Sequence, residues 1–517
     1  MAVDRRLVIL RAGHAHSGKV EVECACWLDQ KSFRDYKMTF WTNFRARLMR
    51  KAAMRFELAA IVLVAALMGC ATQAIAQAIA SRDPAEHLTG KPRAKVVARP
   101  AVEFTRASVD EKGMRSLISD LVKCGTRLTL ASWDDPKHGP GCARDRIVER
   151  LNTISKESGN KLQVVVDKFE MTSERTHNQP AHLENVYAIL PGTDEKLSKT
   201  IFIVSGHFDS MPSFQDIMNP ELDAPGADDD ASGVAVSLEC ARLLSKAAAH
   251  GGLRSTILFA AVSGEEQGLL GSTHMLEWVK QQGYTVGGML DDDIVGADFA
   301  PGAPHRVRLF SGNGDIDDRD SPSRELARAI EEINGRRAIR LIFRQDRYGR
   351  GGDHYLFYKA GLPAVRFTEP LENYDHEHQT PRTENGVEYG DFEKFLNFTF
   401  MGSVALDNAE ALRQLAMAPA PPAQSRLGGA VKPDAVVSWE AEADRQRAGF
   451  EILWRETTDP RWQIYDFVEK AGENVLKGVS TDNHFFAVRS VGKNGARSIA
   501  MPTEMERRGP PLPASPK

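Results

Sequence analysis

Between residues 108 and 415, short runs of apolar and β-branched residues alternate with longer stretches that have helical periodicity. The runs that read as strands are 162–166, 185–190, 200–204, 256–262 and 363–367. Helical patterns lie between several of these runs, at 233–246, 272–282 and 323–334. Because the runs are apolar at nearly every position, the strands must be covered on both faces, as in mostly parallel sheets. The sequence therefore predicts an α/β domain over residues 108–415, with a mostly parallel central sheet and helices on both faces.

The sequence changes character at residue 416. An Ala/Pro-rich segment at 416–422 is typical of a domain boundary. Beyond it, short runs of alternating polarity predict a small β-sandwich within residues 416–505. We expect the last residues, 506–517, to be a disordered tail.

The amino-terminal region has the features of a targeting signal. Basic residues from Arg45 to Arg55 precede an apolar run at 58–68, and small residues follow at 74–78. This order predicts a secretory signal peptide at 49–78 and a leader at 79–107. The apolar run is much shorter than the roughly 20 residues of a membrane span, so we expect no integral span after signal removal.

The predicted signal also bears on the start site and the compartment. Residues 1–48 are expected to be an upstream extension from a misassigned start codon, since a methionine at 49 or 54 would suit the signal. We expect the mature chain to be periplasmic or secreted, and lipid attachment at Cys70 is an alternative. In an oxidising compartment, Cys124 and Cys142 are close enough in sequence to form a disulfide, which leaves Cys240 as a buried free thiol.

Charge and composition limit the partners. The net charge is −4, and the absence of a long basic run gives no electrostatic footprint for nucleic acid. With 42% hydrophobic and 26% charged residues, the composition is that of a globular protein. A peptide or small molecule is therefore the expected substrate, and the sequence does not specify an oligomeric state.

Acidic residues and histidines concentrate in five short segments: two directly follow a predicted strand, two lead into a helix and one lies within an apolar stretch. The segments are 206–210, 226–233, 263–268, 289–296 and 351–354. Sites in parallel sheets form beyond the carboxyl ends of the strands, so these segments are expected to meet. Each segment alone has a simpler interpretation, such as a solvated loop or a helix start that favours negative charge. The three adjacent carboxylates at 228–230, however, repel one another unless a divalent ion lies among them.

The residue types in these segments suit a hydrolytic zinc site. Asp, Glu and His, with no thiolate among them, are ligands that such sites use. Of the adjacent pair Glu265 and Glu266, one carboxylate can bind metal while the other accepts a proton from the metal-bound water. Asp209 lies two residues after His207 and can orient the histidine ring by accepting the proton of its other nitrogen.

Over roughly residues 110–410, the sequence resembles the co-catalytic zinc aminopeptidase family, which includes bacterial leucyl aminopeptidases and the glutamate carboxypeptidase II ectodomain. The most specific matches are 226–233, 264–268 and 351–354. The resemblance implies a zinc exopeptidase fold that holds two Zn²⁺ ions. It also implies that the substrate is a peptide.

The same resemblance assigns metal ligands. It implies that Asp229 bridges the two ions, that His207 and Asp293 bind one of them, and that Glu266 and His354 bind the other. The choice of the third acid in the 291–293 run follows from the apolar pair and glycine that come directly after it.

The remaining roles also come from the resemblance. It implies that Glu265 is the general base and that Asp209 orients His207. His378 is expected to donate a hydrogen bond to the transition state, in preference to the nearby His376. A pair of arginines, at 347 and 350, could bind a substrate carboxylate.

The C-terminal part resembles a fibronectin type III domain. The resemblance lies in Trp439, in 449–455 and in 486–491. His484 stands where that family usually has a tyrosine, so the corner hydrogen bond typical of the family lacks its usual donor.

These features together predict an exported two-zinc exopeptidase, most simply an aminopeptidase. It would hydrolyse terminal peptide bonds through a metal-bridged hydroxide, with Glu265 as general base. Carboxypeptidase-type cleavage and glutaminyl cyclase activity are alternatives on the same fold, although the cyclase reaction generally uses one ion and fewer ligands. A non-catalytic binding protein is a further alternative, and the complete ligand set argues against it.

Overall fold

The computed structural model describes residues 97–505, except 249–250, 252, 299–304, 315–318 and 336–337, together with the backbone of four short strands nearer the amino terminus. These strands are β1 (Arg6–Val8), β2 (Gly13–His14), β3 (Val20–Glu21) and β4 (Cys26–Leu28); β1 pairs with β4 and β2 with β3. The chain forms two compact units, Met1–Leu88 and Thr89–Lys517, and all that follows concerns the second. The predicted signal peptide, Cys70 and the predicted tail lie outside the described residues.

An eight-stranded sheet forms the centre of the second unit. Its strands are β5 (Gln163–Met171), β6 (Ala181–Leu190), β7 (Thr200–His207), β8 (Thr256–Val262), β9 (Thr285–Asp292), β10 (Val307–Phe310), β11 (Ile339–Ile342) and β12 (Ala364–Thr368). The order across the sheet is β11-β10-β12-β9-β7-β8-β6-β5. The middle four strands run parallel, as do β10 and β11, whereas the other pairings are antiparallel. The predicted mostly parallel sheet is confirmed.

Helices cover both faces of this sheet, as predicted. They are α1 (Glu111–Val122), α2 (Gly139–Glu157), α3 (Ala231–Ala247), α4 (Leu270–Gln281), α5 (Pro322–Asn334), α6 (His354–Lys359) and α7 (Phe398–Met417). Short 3₁₀ turns and one hairpin connect some of them: Arg106–Ser108, Glu174–Thr176, Leu197–Lys199, Glu393–Phe395, and β13 (Arg382–Glu384) with β14 (Val387–Tyr389).

Alternate residues of the central strands point to different helices. On β7, Val204 packs into the larger core with α1, α2, α3, α5 and α7. Its neighbour Ile203 packs into a second core with residues of α4 and α6. Both side chains are fully buried, which explains why the sequence is apolar at consecutive positions of this strand.

Local sequence signals fix the ends of two helices that border the site. Asp230 caps the start of helix α3, since its carboxylate accepts a hydrogen bond of 2.8 Å from the backbone N–H of Gly233. Asn397 caps helix α7 in the same way, and this helix continues through Met417, past the predicted boundary at 416. The alternating Ala/Pro residues that follow cannot continue the helix.

Residues 423–505 form two four-stranded sheets. The strands are β15 (Ala423–Gly428), β16 (Ala435–Glu440), β17 (Arg447–Glu456), β18 (Gln463–Val468), β19 (Gly472–Leu476), β20 (His484–Gly492), β21 (Met501–Pro502) and β22 (Glu504–Met505). One sheet has the order β19-β16-β15-β22 and the other β18-β17-β20-β21. Trp439 of the first sheet and Phe450 of the second lie in one buried cluster, with ring centroids 5.6 Å apart. The region is therefore sheet-rich as predicted, and its assignment to the fibronectin type III family stays a prediction.

Helix α5 packs against this C-terminal region through buried ion pairs. Asp320, just before the helix, pairs with Arg328 at 2.7 Å, with Arg324 at 2.9 Å and with Arg455 of β17. Further along, Glu331 pairs with Arg461 at 2.7 Å. Each of these acids has at least one arginine partner, so little net charge is buried here.

Two smaller predictions can also be compared with the structure. The disulfide between Cys124 and Cys142 is present, with a Cα–Cα distance of 5.8 Å, and it joins the end of α1 to the start of α2. Cys240 is a buried free thiol in α3. Both cysteine predictions are confirmed. Within the described part of the chain, no helix is both long enough and apolar enough to cross a membrane.

Candidate metal centre

Most of the predicted site residues lie at one edge of the central sheet. His207 is the last residue of β7, Glu265 follows β8, and Asp293 follows β9. Asp229 lies just before α3, the helix that follows β7 in the chain. Since β7, β8 and β9 are parallel, their carboxyl ends bring these side chains together, as the sequence predicts.

His207, Asp229 and Asp293 form a first triad. Each offers one ligand atom, and these atoms lie within 4.8 Å of one another. The Nε2 atom of His207 is 3.1 Å from Oδ1 of Asp229 and 3.9 Å from Oδ1 of Asp293. The neighbouring Asp292 turns away and accepts a hydrogen bond of 2.9 Å from the side-chain amide of Asn408. The geometry therefore brings Asp293, and not Asp292, to the triad.

Asp229, Glu266 and His378 form a second triad with the same close spacing of ligand atoms. The Nε2 atom of His378 lies 2.8 Å from Oδ2 of Asp229 and 3.0 Å from Oε1 of Glu266. Asp229 thus presents Oδ1 to one triad and Oδ2 to the other. This is the arrangement expected of a bridging carboxylate.

The structure does not bring the predicted ligand His354 to either triad. Its Nδ1 atom lies 3.2 Å from Oδ2 of Asp291, and its Nε2 atom lies 2.8 Å from the carbonyl oxygen of Gln345. His354 is the first residue of α6, and its backbone N–H also donates to Asp291 at 3.0 Å. Both ring nitrogens face protein acceptors, so the ring connects α6 to β9. Of these two histidines, it is His378 and not His354 that lies with Asp229 and Glu266.

Glu265 lies beside the triads without belonging to either. One of its carboxylate oxygens is within 4.8 Å of ligand atoms of His207 and Glu266, and its side chain is partly exposed, whereas that of Glu266 is buried. Removal from bulk water raises the pKa of Glu265 well above its usual value, against the opposing charge of His207, and Glu266 and Asp293 raise it further. A carboxylate with a raised pKa is suited to accept a proton.

Asp229 has the opposite electrostatic situation. Burial alone would raise its pKa, but the charges of His378 and His207 and their hydrogen bonds hold it well below its usual value. The ionised form of Asp229 is therefore the stable one. An ionised carboxylate is the form that binds a metal ion.

Asp209 organises the site, partly in the way that the sequence predicts. Its backbone carbonyl oxygen lies 3.1 Å from Nδ1 of His207, closer than its carboxylate, at 3.6 Å. The carboxylate accepts hydrogen bonds from the backbone N–H groups of Glu265 at 3.2 Å and Glu266 at 3.1 Å. Asp209 therefore holds both the histidine ring and the loop that carries the two glutamates.

Other residues that the sequence did not single out support the same loops. Asp391 accepts hydrogen bonds of 2.8 Å from the backbone N–H groups of Asp228 and Asp229. Asp230 accepts one of 3.0 Å from the backbone N–H of His207. The three adjacent acids at 228–230 could have indicated such a structural role, because only one of the three carboxylates can bridge two metal ions.

Arg127 also stabilises the loops of the site, through several hydrogen bonds from its guanidinium group. Its side chain is fully buried and donates to the carbonyl oxygens of Phe208 at 2.7 Å, of Gly226 at 2.8 Å and of Pro225. It therefore connects the loop after His207 with the loop before Asp229. Arg127 lies three residues after Cys124 of the disulfide, in a segment to which the sequence analysis assigned no function.

The two arginines predicted as a carboxylate clamp have partners within the protein. Arg347 and Arg350 each donate to Oε2 of Glu372 at 2.7 Å, and Arg308 donates to its Oε1 at 2.7 Å. Arg347 is buried, whereas about a quarter of the Arg350 side chain is exposed, 27%. Their main interaction is with Glu372.

The chain is similar in sequence to known metallopeptidases. The sequence profile of peptidase family M28 matches residues 185–397, a range that contains every member of both triads. A probable zinc metalloprotease of Pyrenophora tritici-repentis is 36% identical over 434 residues, which cover 79% of this chain and 88% of the relative. A probable zinc metalloprotease of Leptosphaeria maculans is 37% identical over 429 residues, covering 78% and 97%. The chain belongs to peptidase family M28.

The M28 chain is therefore a peptide hydrolase of a zinc metallopeptidase family, as the sequence predicts. Among solved structures, the aminopeptidase LapA of Legionella pneumophila is 16% identical, with a TM-score of 0.44 over 62% of this chain and 78% of that one. A glutaminyl cyclase of Porphyromonas gingivalis is 16% identical, with a TM-score of 0.42 over 59% and 98%.

Proposed function

We propose that this M28 peptidase is an exported two-zinc aminopeptidase. In the proposed site, His207 and Asp293 hold one ion, Glu266 and His378 hold the other, and Asp229 bridges them. The observation that carries the proposal is that Asp229 directs one oxygen to each triad. This ligand set keeps four of the five residues expected from the sequence and replaces His354 with His378.

The donor set suits zinc. Each triad combines one imidazole with two carboxylates, and there is no thiolate in either. Such N and O donors are typical of hydrolytic zinc sites, and three protein ligands leave a position open for water or substrate. When bound, zinc would supply Lewis acidity, which lowers the pKa of water and polarises the substrate carbonyl.

Glu265 is the proposed general base. Its carboxylate lies beside both triads and is partly exposed, so it can reach a water molecule and a substrate. It would accept a proton from the attacking water and then donate it to the leaving amine. Asp209 would keep Glu265 in place through the backbone hydrogen bond described above.

The surroundings of the site favour an amine over a carboxylate at the end of the substrate. Glu265, Asp353 and Glu377 add carboxyl groups near the triads, and burial together with neighbouring carboxylates raises the pKa of each, so that each can take up a proton. The arginines that could bind a carboxylate are already paired with Glu372. A substrate amine would find carboxyl groups to accept its hydrogen bonds, whereas a substrate carboxylate would compete with Glu372 for the arginines, which supports an aminopeptidase over a carboxypeptidase. The second triad supports two ions over the one that a glutaminyl cyclase generally uses.

Export is proposed from the sequence and supported by the disulfide. The order of basic, apolar and small residues at 45–78 is that of a signal peptide. The Cys124–Cys142 disulfide suits an oxidising compartment.

The proposal is tested by zinc analysis and a substrate panel on the same preparation of mature protein. We expect two zinc ions per chain. We also expect cleavage of dipeptides that are free or blocked at the carboxyl end, and none of dipeptides blocked at the amino end. One zinc ion per fully active chain would contradict the bridging role of Asp229. Equal cleavage of amino-blocked dipeptides would contradict an aminopeptidase.

A further inference from the structure

Arg366 is a buried cation in contact with one of the proposed zinc ligands. It lies in β12, is fully buried, and its Nη1 atom is 2.7 Å from Oδ2 of Asp293. The other oxygen of Asp293, Oδ1, is the one that faces His207. The two oxygens of this carboxylate therefore have different partners: one a guanidinium and the other the metal site.

The position of the guanidinium is built into the fold. Nη1 of Arg366 donates to the carbonyl oxygen of Gly351 at 2.8 Å and lies 3.6 Å from Oδ2 of Asp346. A Cβ atom on Gly352 would lie only 2.4 Å from Nη1, 3.1 Å from Oδ2 of Asp291 and 3.3 Å from Oδ2 of Asp293, so a side chain there would displace the guanidinium and crowd both carboxylates. The Gly-Gly pair, which the sequence analysis associated with His354, thus makes room for Arg366.

The other triad has no such cation. Among the described residues, no Lys or Arg is in ion-pair contact with the carboxylate of Glu266, whose partner is His378. The two triads therefore differ in one charge, although each has one histidine and shares Asp229. A hydrogen-bond acceptor beside a metal ligand makes that ligand a stronger electron donor to the metal, and Asp209 is such an acceptor for His207. A guanidinium has the opposite effect, because it withdraws charge from the carboxylate and repels the ion.

We infer that Arg366 is a positioning residue that makes the two proposed zinc sites unequal, with the His207–Asp293 site the weaker one. This inference rests on the proposed two-zinc function. The Glu266–His378 site would stay filled, while the His207–Asp293 site would exchange its ion with the surroundings. The activity of the enzyme would then depend on the concentration of free zinc, because the His207–Asp293 site must be filled from it.

The test is to measure both stepwise zinc dissociation constants of the metal-free protein, by competition with a chelating dye. For the wild type we expect two constants that differ by about tenfold or more, the scale on which outer partners change metal affinity. Arg366→Gln should tighten the weaker site by about tenfold and leave the tighter site unchanged. A structural role alone would give the opposite sign, because loss of a support weakens binding.

Arg347→Gln is the matched control. Arg347 lies in the same charged cluster and pairs with Asp346 and Glu372, but it contacts no triad residue. Its charge acts on Asp293 only at a distance, after that of Arg366, so we expect the zinc dissociation constants of Arg347→Gln to change much less than those of Arg366→Gln. Equal tightening in this control, or a weaker or unchanged site in Arg366→Gln, would overturn the inference.

Arg366→Met provides a second variant, which removes the charge and keeps a long unbranched side chain. It should also tighten the weaker site, and it replaces Arg366→Gln in the test if that protein fails to fold, as judged by circular dichroism. An Arg366→Met protein with a weaker or unchanged site would then count against the inference. A wild type that binds only one ion would refute the proposed function itself. Two ions with no change on substitution would refute only the role of Arg366.

Discussion

Two regions of the molecule bury many charged groups: the metal edge, which is the edge of the central sheet where β7, β8 and β9 end at the two triads, and the contact of helix α5 with the C-terminal sheets. They differ in how many cations lie beside the acids. At the metal edge, Asp229, Glu266, Asp293 and Glu265 lie together. Within the described structure, Arg366 is the one arginine or lysine in ion-pair contact with any of them. At the α5 contact, each acid has an arginine: the buried Asp320 with Arg328, the buried Glu331 with Arg461 and the exposed Glu332 with Arg489.

The pKa values of Asp293 and Asp320 illustrate this difference. Burial raises the pKa of Asp293 to about 6, and Asp229 adds to the rise while Arg366 opposes it. Burial acts in the same direction on Asp320 at the α5 contact, but the charges of Arg328 and Arg455 and the hydrogen bond from Arg324 outweigh it and lower the pKa. Buried carboxylates that lie close together with too few cations cannot all be ionised unless another cation, such as a metal ion, is added. Buried carboxylates that are paired with arginines need no added cation. The first pattern indicates a metal site and the second a structural contact.

If this contrast is correct, substitutions at the metal edge change catalysis and not folding. Glu265→Gln keeps the size of the side chain but cannot accept a proton. We expect kcat to fall by about 10²–10⁴-fold, the usual contribution of a general base, while two zinc ions stay bound. The measurements are kcat at saturating zinc and bound zinc per chain.

Glu266→Gln is the matched variant one residue further along the chain. It should lose zinc from one site, and excess zinc should restore part of its activity. If Glu265→Gln loses zinc and Glu266→Gln keeps it, the two roles are exchanged. If both variants keep full activity, the site is assigned to the wrong edge.

At the α5 contact the opposite result is expected. Asp320→Asn leaves Arg328 and Arg455 without their shared carboxylate, and breaking a buried ion pair costs about 3 kcal/mol of the free energy of unfolding. The kcat at 25 °C should not change, because Asp320 contacts no triad residue. Urea unfolding and kcat measured on one preparation check both statements.

The control for this contact is Glu442→Gln. Glu442 pairs with Lys196 at 2.8 Å, and both side chains are highly exposed, so the urea midpoint should stay the same. A loss of kcat in folded Asp320→Asn protein would show that the two regions are coupled.

The smallest expected effect is a pH dependence at the same contact. The pKa of Glu332 is about 2 in the folded protein and ordinarily about 4.5, so its pairing stabilises the fold above pH 4.5. This contribution is lost as the pH falls from 4.5 toward 2, where the carboxylate becomes protonated in both states. Because Glu332 is exposed, solvent screening keeps the effect small. The difference in urea midpoint between wild type and Glu332→Gln should be present at pH 6 and absent at pH 2, and a constant difference would contradict it.

The sequence predicts the part of this site that lies on regular structure. The apolar runs at β7 and β8 are clear, and the acids that follow them come together because parallel strands end at one edge. It is less informative about the short strands β10 and β11, whose four residues each give too little pattern to recognise.

The choice between His354 and His378 also could not be made from the sequence. Both histidines have acidic neighbours in the sequence, and the direction of each ring depends on how α6, which begins at His354, and the loop after β12, which contains His378, pack. Asp291, buried in β9, orients His354, and this contact joins residues 63 positions apart. Arg366 gave a clearer signal, since an arginine inside an apolar strand needs a buried partner.

The central claim is that two ions share Asp229 and that the second histidine is His378. A crystal structure of the zinc-loaded protein, with anomalous data collected at the zinc edge, tests this directly. The account predicts two anomalous peaks, one in contact with His207 and Asp293, the other with Glu266 and His378, and both with Asp229. A single peak, or a peak in contact with His354 in place of His378, would contradict it.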